Sequence, residues 1–202
     1  MIEIKEVKTK KDKKAFVTYP FKLYKGNKYY VPALRMDEYR IFDDRCDYSE
    51  VSDNVFFLAY KDGELVGRIH GLIQLQFNEI YNAKQIRFTR FDSINDQKVA
   101  NALLDAVAEW GRKKGMDTMV GPLGFSDLER EGLLIEGFNE KQTYAEQYNF
   151  AYYKKLIEKN GFVKDIDWLE FNLTKKDDLD PKMFEMGEQV MKENNLKLVP
   201  IK

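Results

Sequence analysis

The sequence predicts a mixed α/β fold, an antiparallel meander running into a β–α–β unit. Three observations carry that prediction. Residues 55–60 (VFFLAY) and 64–76 (ELVGRIHGLIQLQ) flank Lys61, Asp62 and Gly63, and Asp-Gly between two apolar runs is a strong short-turn signal. Ile86, Phe88 and Arg90 alternate with Arg87, Thr89 and Phe91, as expected of a strand covered on both faces. Val99, Leu103, Ala106, Val107 and Trp110 then form one apolar stripe at helical spacing.

In chain order, Ile2, Ile4 and Val7 make a first strand. The basic run 8–14 reads as a solvated helix start. With 33 basic against 34 acidic residues and a formal net charge of -1, no global field attracts nucleic acid. A helix over residues 15–24 is interrupted at Pro20, which lacks a backbone donor. The aromatic loop LYKGNKYYVPAL (23–34) supplies rings that lid the core rather than stack bases.

Residues 35–53 are polar and acidic, a solvated excursion. Asp43, Asp44, Asp47, Glu50 and Asp53 follow no metal-ligand spacing, so no metal is expected. Cys46 is the only cysteine, which excludes an internal disulfide and makes the reducing cytoplasm the expected compartment. No apolar run approaches bilayer length, so no membrane partner is expected.

Gly67 and Gly71, inside a strand, mark a bulge or a close backbone approach. His70, the only histidine, lacks a partner motif and reads as structural. A short connection over 78–84 leads to the central strand. Asn95 or Asp96 caps the following helix, and Gly115 ends it behind Lys113 and Lys114. A strand handing over to a helix N-terminus presents N–H groups to an anion, so residues 95–101 are where a phosphate-bearing cofactor is sought. Against that, no glycine lies between Phe91 and Gly111, and Asp92 and Asp96 already complement the helix dipole.

Residues 118–120 form a short strand stopped by Gly121 and Pro122. The long stretch from there to Tyr153 is expected to be a packed loop, held by Leu133, Leu134, Ile135 and Phe138. A helix over 151–160 is closed by Gly161, and residues 162–173 read as one or two strands containing Trp168. A charged linker (175–180), an amphipathic helix (183–193) and a strand start (196–201) follow. Residues 1–174 thus make one domain. Residues 175–202 open a second domain or, alternatively, complete the first domain's sheet.

ALLDAVAEWGRKKG (102–115) and YYKKLIEKNGF (152–162) resemble the cofactor-side helix and the later helix–Gly-Phe element of the Gcn5-related N-acetyltransferase (GNAT) superfamily. VPAL, VGRI, DQKVANALLDA, GPLGFS and GLLIEGF resemble more closely a bacterial group of longer acetyltransferase-like proteins with a second similar domain. The resemblance covers residues 2–173 and implies a mixed, mostly antiparallel sheet with a V-shaped splay and helices on both faces. It further implies acetyl-CoA or another acyl-CoA lying in that splay. The acyl group would pass to a small-molecule or peptide amine, and a second GNAT-like domain or a homodimer is the implied partner.

Laid on the superfamily's pyrophosphate loop (Gln/Arg-x-x-Gly-x-Gly/Ala), the chain puts Asn95 first, Lys98 at the glycine and Ala100 last. Ala100 alone fits, while Lys98 offers a point charge to a phosphate. The cofactor-binding residues carried over are Phe91, Asp92, Ser93, Lys98, Val99, Ala100 and Asn101. The superfamily's frequent general-acid tyrosine falls on Ile157, which cannot donate a proton. Tyr153 substitutes for it if the helix is shifted, and Tyr148, Glu131 and Glu136 are the other catalytic candidates. The two departures motivate an alternative, a catalytically silent scaffold or binding domain of a longer protein.

Overall fold

A computed structural model of the chain describes residues 1–43, 50–126, 128–143, 146–171, 173–174 and 180–200. Two units emerge, Met1–Val163 and Lys164–Lys202. The first is built on five strands, β1 (Ile2–Glu6), β2 (Ser52–Lys61), β3 (Glu64–Gln74), β4 (Gln85–Ser93) and β5 (Thr118–Val120). Their order in the sheet is their order in the chain. The first four pair antiparallel and β5 lies parallel to β4, the mixed, mostly antiparallel sheet expected.

Asp62 and Gly63 close the β2–β3 hairpin with φ of 51° and 83°, both left-handed, which matches the twist of the strands they join. The two strand glycines mark a close approach. A Cβ on Gly67 would sit 2.8 Å from Leu103 Cδ1, and one on Gly71 2.8 Å from Val107 Cγ1. Helix α4 (Gln97–Lys113) therefore rides directly on β3, burying Val99, Leu103, Leu104 and Val107. Tyr153, Leu156 and Ile157 of α5 (Tyr152–Glu158) join the same core.

Helix α1 (Lys10–Leu23) lies against a separate cluster that includes Phe16 and Leu58. It begins with a capping box between Thr9 and Asp12 and runs through Pro20 without interruption. Proline removes the donor that would reach the carbonyl one turn back, at Phe16. Arg68 Nη1 of β3 supplies the replacement, donating to that carbonyl at 3.0 Å. The expected break is thus repaired by the sheet.

Two short helices replace irregular or extended chain. Helix α2 (Arg35–Arg40) sits within the acidic excursion, and α3 (Leu75–Ile80) begins where β3 ends at Gln74. The long loop after β5 is ordered by buried amides. Asn149 accepts from the Leu134 N–H at 2.8 Å, and Gln142 accepts from the Val31 N–H at 2.9 Å. The second unit contains α6 (Pro181–Glu193), capped by Asp180. Its described residues 164–171, 173–174 and 196–200 form no strand, contrary to expectation, and Trp168 and Phe171 are exposed. An alternating pattern becomes a strand only where a neighbouring edge receives its hydrogen bonds. Cys46 with Asp44 and Asp47, and linker residues 175–179, lie outside the described residues.

Candidate active site

The sheet opens between β4 and β5. Their pairing ends at Arg87 opposite Val120, and the last link is the Leu123 N–H donated to the Phe88 carbonyl at 2.8 Å. Gly121 makes that approach possible, because a Cβ there would lie 2.5 Å from the Phe88 oxygen. Past Phe88 no strand among the described residues pairs with the β5 side of β4. On its other side β4 is bulged. Arg90 and Phe91 together face Ile69, and Arg90 takes a φ of 48°.

Around this bulge runs a chain of buried charges. Arg68 Nε donates to Asp92 Oδ2 at 2.7 Å, and its Nη1 lies 3.2 Å from Glu38 Oε2. Arg90 Nε reaches Glu38 Oε1 at 3.1 Å and Arg90 Nη2 reaches Glu129 Oε1 at 3.3 Å. Glu129 in turn accepts from the Phe125 N–H at 2.6 Å, tying the loop after β5 to the sheet. Burial alone would raise the Glu38 carboxyl, but the Arg90 and Arg68 guanidiniums hold it down at about 2. His70 stacks on Phe56 at 4.2 Å and donates from Nε2 to Asn54 Oδ1 at 2.9 Å. Burial first, then Arg90 and Arg68, keep its imidazole neutral, well below the usual 6.5.

The same chain passes through the splay to α5. The Tyr24 hydroxyl lies 3.1 Å from Asp92 Oδ1 and 3.2 Å from the Tyr153 hydroxyl. Tyr153 accepts from the Ser93 N–H at 3.0 Å, and Tyr152 donates to the Ser93 carbonyl at 2.8 Å. Burial, and then the Asp92 charge, push the Tyr153 phenol well above 10. Phe91 packs edge-on against the Tyr153 ring at 5.4 Å. Of the sequence-derived residues, Phe91, Asp92, Ser93 and Tyr153 therefore meet in one place.

The others have different surroundings, although Val99 and Ala100 share the core cluster of Phe91 and Tyr153. Tyr148 holds the loops, between the Phe138 carbonyl at 3.2 Å and Asn27 Nδ2 at 3.1 Å. Glu136 is exposed. Glu131 is half-buried and within electrostatic reach of Arg87. At the start of α4 the Lys98 N–H is donated to Asp96 Oδ1 at 2.9 Å, while Asp96 Oδ2 pairs with Lys61 Nζ at 2.7 Å. The Lys98 side chain is exposed, and those of Val99 and Ala100 are wholly buried. The Ala100 N–H bonds the Asp96 carbonyl at 3.1 Å. Asn101 accepts from Gln97 at 2.8 Å and from Asn160 at 3.3 Å. Gln97 also reaches the Leu156 carbonyl at 2.8 Å, so α4 and α5 are laced together here.

Sequence reasoning missed Glu38, Tyr24, Glu129 and the roles of Arg68 and Arg90. The available signal was an arginine inside otherwise apolar strands, because a buried guanidinium requires a carboxylate. A recess of 390 Å³ lined by residues including Asn82, Lys84 and Asp117 lies at the other end of β4 and contains none of the candidates. Among the described residues no group of three or more His, Cys, Asp or Glu is arranged to hold a metal, and no helix is long and apolar enough to cross a membrane.

No protein-family profile matches the sequence. The chain is 27% identical over 194 residues to protein YghO of Escherichia coli, covering 94% of this chain and 49% of that one. It is 27% identical over 178 residues to a bacterial ceramide synthase of Caulobacter vibrioides, covering 86% and 46% respectively. The chain thus spans about half the length of the curated relatives it matches. Among solved structures it is similar to the aminoglycoside N-acetyltransferase AAC(6')-Iy in complex with CoA, with a TM-score of 0.52 and 13% identity over 86% of this chain and 95% of that one. The same enzyme with a CoA bisubstrate analogue gives a TM-score of 0.50 at 13% identity, over 87% and 99%. The fold is that of the GNAT acetyltransferases.

Proposed function

We propose that this chain is an N-acyltransferase domain that moves an acyl group from acyl-CoA to an amine. The observation that carries the reading is the open edge of β4 beyond Phe88, where an extended ligand can take the place of a missing strand. Acyl-CoA supplies a thioester carbon open to attack. The amine nitrogen bonds to that carbon, the carbon–sulfur bond breaks, the nitrogen loses a proton and the sulfur gains one. Tyr152 and Tyr153 fix the end of β4 by holding both backbone groups of Ser93, and so position the edge. Glu129, Glu131 and Glu136 are the carboxylates proposed to receive the amine proton, directly or through water.

The residues fit the two parts of the coenzyme unequally. The β4 edge suits the amide-bearing arm. The α4 end, with the Lys98 N–H given to Asp96, does not suit the diphosphate until Asp96 turns away. Lys61 and Lys98 would then remain to meet the phosphates. That same contact favours a second reading, a silent scaffold that keeps the fold and has closed the coenzyme site.

One curated relative is a ceramide synthase, and a ceramide is the amide of a fatty acid with a long-chain amino alcohol. Sphinganine is therefore the acceptor proposed for testing. The exposed apolar residues of the second unit, Trp168, Phe171, Met183 and Phe184 among them, suit cover by a further domain or a second copy.

The test is thermal unfolding with acetyl-CoA and palmitoyl-CoA. A ligand at about 100 times its dissociation constant adds about 2.7 kcal/mol, a shift of several degrees. A rise in Tm with either coenzyme is the expected outcome. No rise at millimolar acetyl-CoA and saturating palmitoyl-CoA favours the scaffold.

A further inference from the structure

Tyr19, on the inner face of α1, is 3% exposed, and its hydroxyl has no hydrogen-bond partner among the described residues. Buried hydroxyls are ordinarily paired, because leaving one unpaired costs stability. The phenol oxygen nevertheless lies within electrostatic reach of Asp92, Tyr152 and Arg68, the groups at the end of the splay. Three neighbouring phenols there are engaged. Tyr24 is on Asp92, Tyr152 on the Ser93 carbonyl and Tyr153 on the Ser93 N–H. Among the described residues, Tyr19 carries the fully buried hydroxyl that is left without a partner.

The layers of the fold suggest what it meets. Helices α4 and α5, which flank the coenzyme site of the proposed reading, share one core cluster, whereas α1 packs in the other. In the proposed reading the acceptor comes to the splay from the α1 side, away from the two helices that flank the coenzyme. The linked ionised groups on that side, Arg68 and Arg90 against Glu38, Asp92 and Glu129, formally sum to one negative charge, which suits an incoming ammonium.

We propose that Tyr19 is a specificity-determining residue for the acceptor: its hydroxyl hydrogen-bonds an oxygen carried beside the reacting amine, so that amino alcohols are preferred to plain amines. This rests on the acyltransferase reading above and adds to it a side chain and a chemical basis for selection. Burial, and then the Asp92 charge, raise the phenol far above its ordinary value, so it stays protonated and serves as a donor throughout the working pH range. A site built to bond a hydroxyl rejects the analogue that lacks it, because the buried group is then left unpaired.

The experiment compares acylation of sphinganine and of octadecylamine by palmitoyl-CoA, using the full chain and Tyr19→Phe, with Tm and palmitoyl-CoA binding recorded for both. The expected result is that kcat/KM for sphinganine falls by about tenfold in Tyr19→Phe while that for octadecylamine is unchanged. Palmitoyl-CoA binding should be unaltered and Tm should not fall, since the hydroxyl has no structural partner to lose. Undiminished discrimination in Tyr19→Phe, an equal loss for both amines, or a lowered Tm would overturn the proposal. Palmitoyl-CoA binding with neither amine acylated would overturn it and leave the coenzyme site standing. Absence of palmitoyl-CoA binding by the unaltered chain would overturn both.

Discussion

Asp92 and Asp96 stand at the end of β4 and the start of α4, one turn of chain apart, and their surroundings differ in every respect. Asp92 is 4% exposed and held by a guanidinium and two phenols. Asp96 lies nearer the surface, caps a helix and pairs with a lysine that is itself 43% exposed. The difference teaches where a fold can still change. A buried ion pair cannot lose one member without stranding the other in a low-dielectric interior. A surface cap exchanges its partner for water, or for another anion, at small cost. The network around Asp92 is therefore fixed, and the contact at Asp96 is the adjustable one.

The harshest way to break the comparison is Arg68→Met. It strands Asp92, half of Glu38 and the Phe16 carbonyl that Pro20 released, and should cost about 3–5 kcal/mol in urea unfolding. A cost below about 1 kcal/mol would mean that the network is ornamental. Acid should act nearly as strongly. The folded pKa of Glu38 is lowered to about 2 from 4.5, so its stabilisation is complete above 4.5 and disappears as pH falls through 2. Its size is on the order of 3 kcal/mol. His70 acts earlier in the same direction. It is held neutral when folded, so the unfolded chain gains protons as pH drops below 6.5 and stability begins to fall there. Urea midpoints at about pH 8, 5 and 3 should show both losses, and His70→Gln should remove the first.

Tyr153→Phe comes next. It leaves the Ser93 N–H buried and unpaired, a cost of about 1–3 kcal/mol, with weaker acyl-CoA binding because the β4 edge loosens. The smallest effect sharpens the comparison rather than breaking it. Asp96→Ala should cost about 1 kcal/mol as a lost cap, yet tighten acetyl-CoA binding by releasing the Lys98 N–H and Lys61. Weaker binding in that variant would show that Asp96 supports the ligand rather than obstructing it.

The meander and the β–α–β unit were legible because their signals are local. Asp-Gly marks a turn, alternation marks β4 and one apolar stripe marks α4. Phe91, Asp92, Ser93 and Tyr153, drawn from two separate stretches of chain, do come together in the fold. What the sequence hid is non-local. Glu38 lies in a polar stretch that reads as solvated, and only the fold brings it to Arg68 and Arg90, far along the chain. Pro20 illustrates the same limit, since a local rule predicts a broken helix and a distant arginine mends it. The reading of residues 162–173 as strand misled in the opposite sense over their described part, because composition names a strand without supplying the edge it pairs with.

The proposed coenzyme site is the β4 edge beyond Phe88, and amide hydrogen exchange reads that edge directly. With acetyl-CoA added, peptides covering residues 89–93 and the first turn of α4 should exchange more slowly, while those of β1 and β2 should not change. Protection appearing elsewhere in the chain, with residues 89–93 unaltered at a coenzyme concentration that binds, would contradict it.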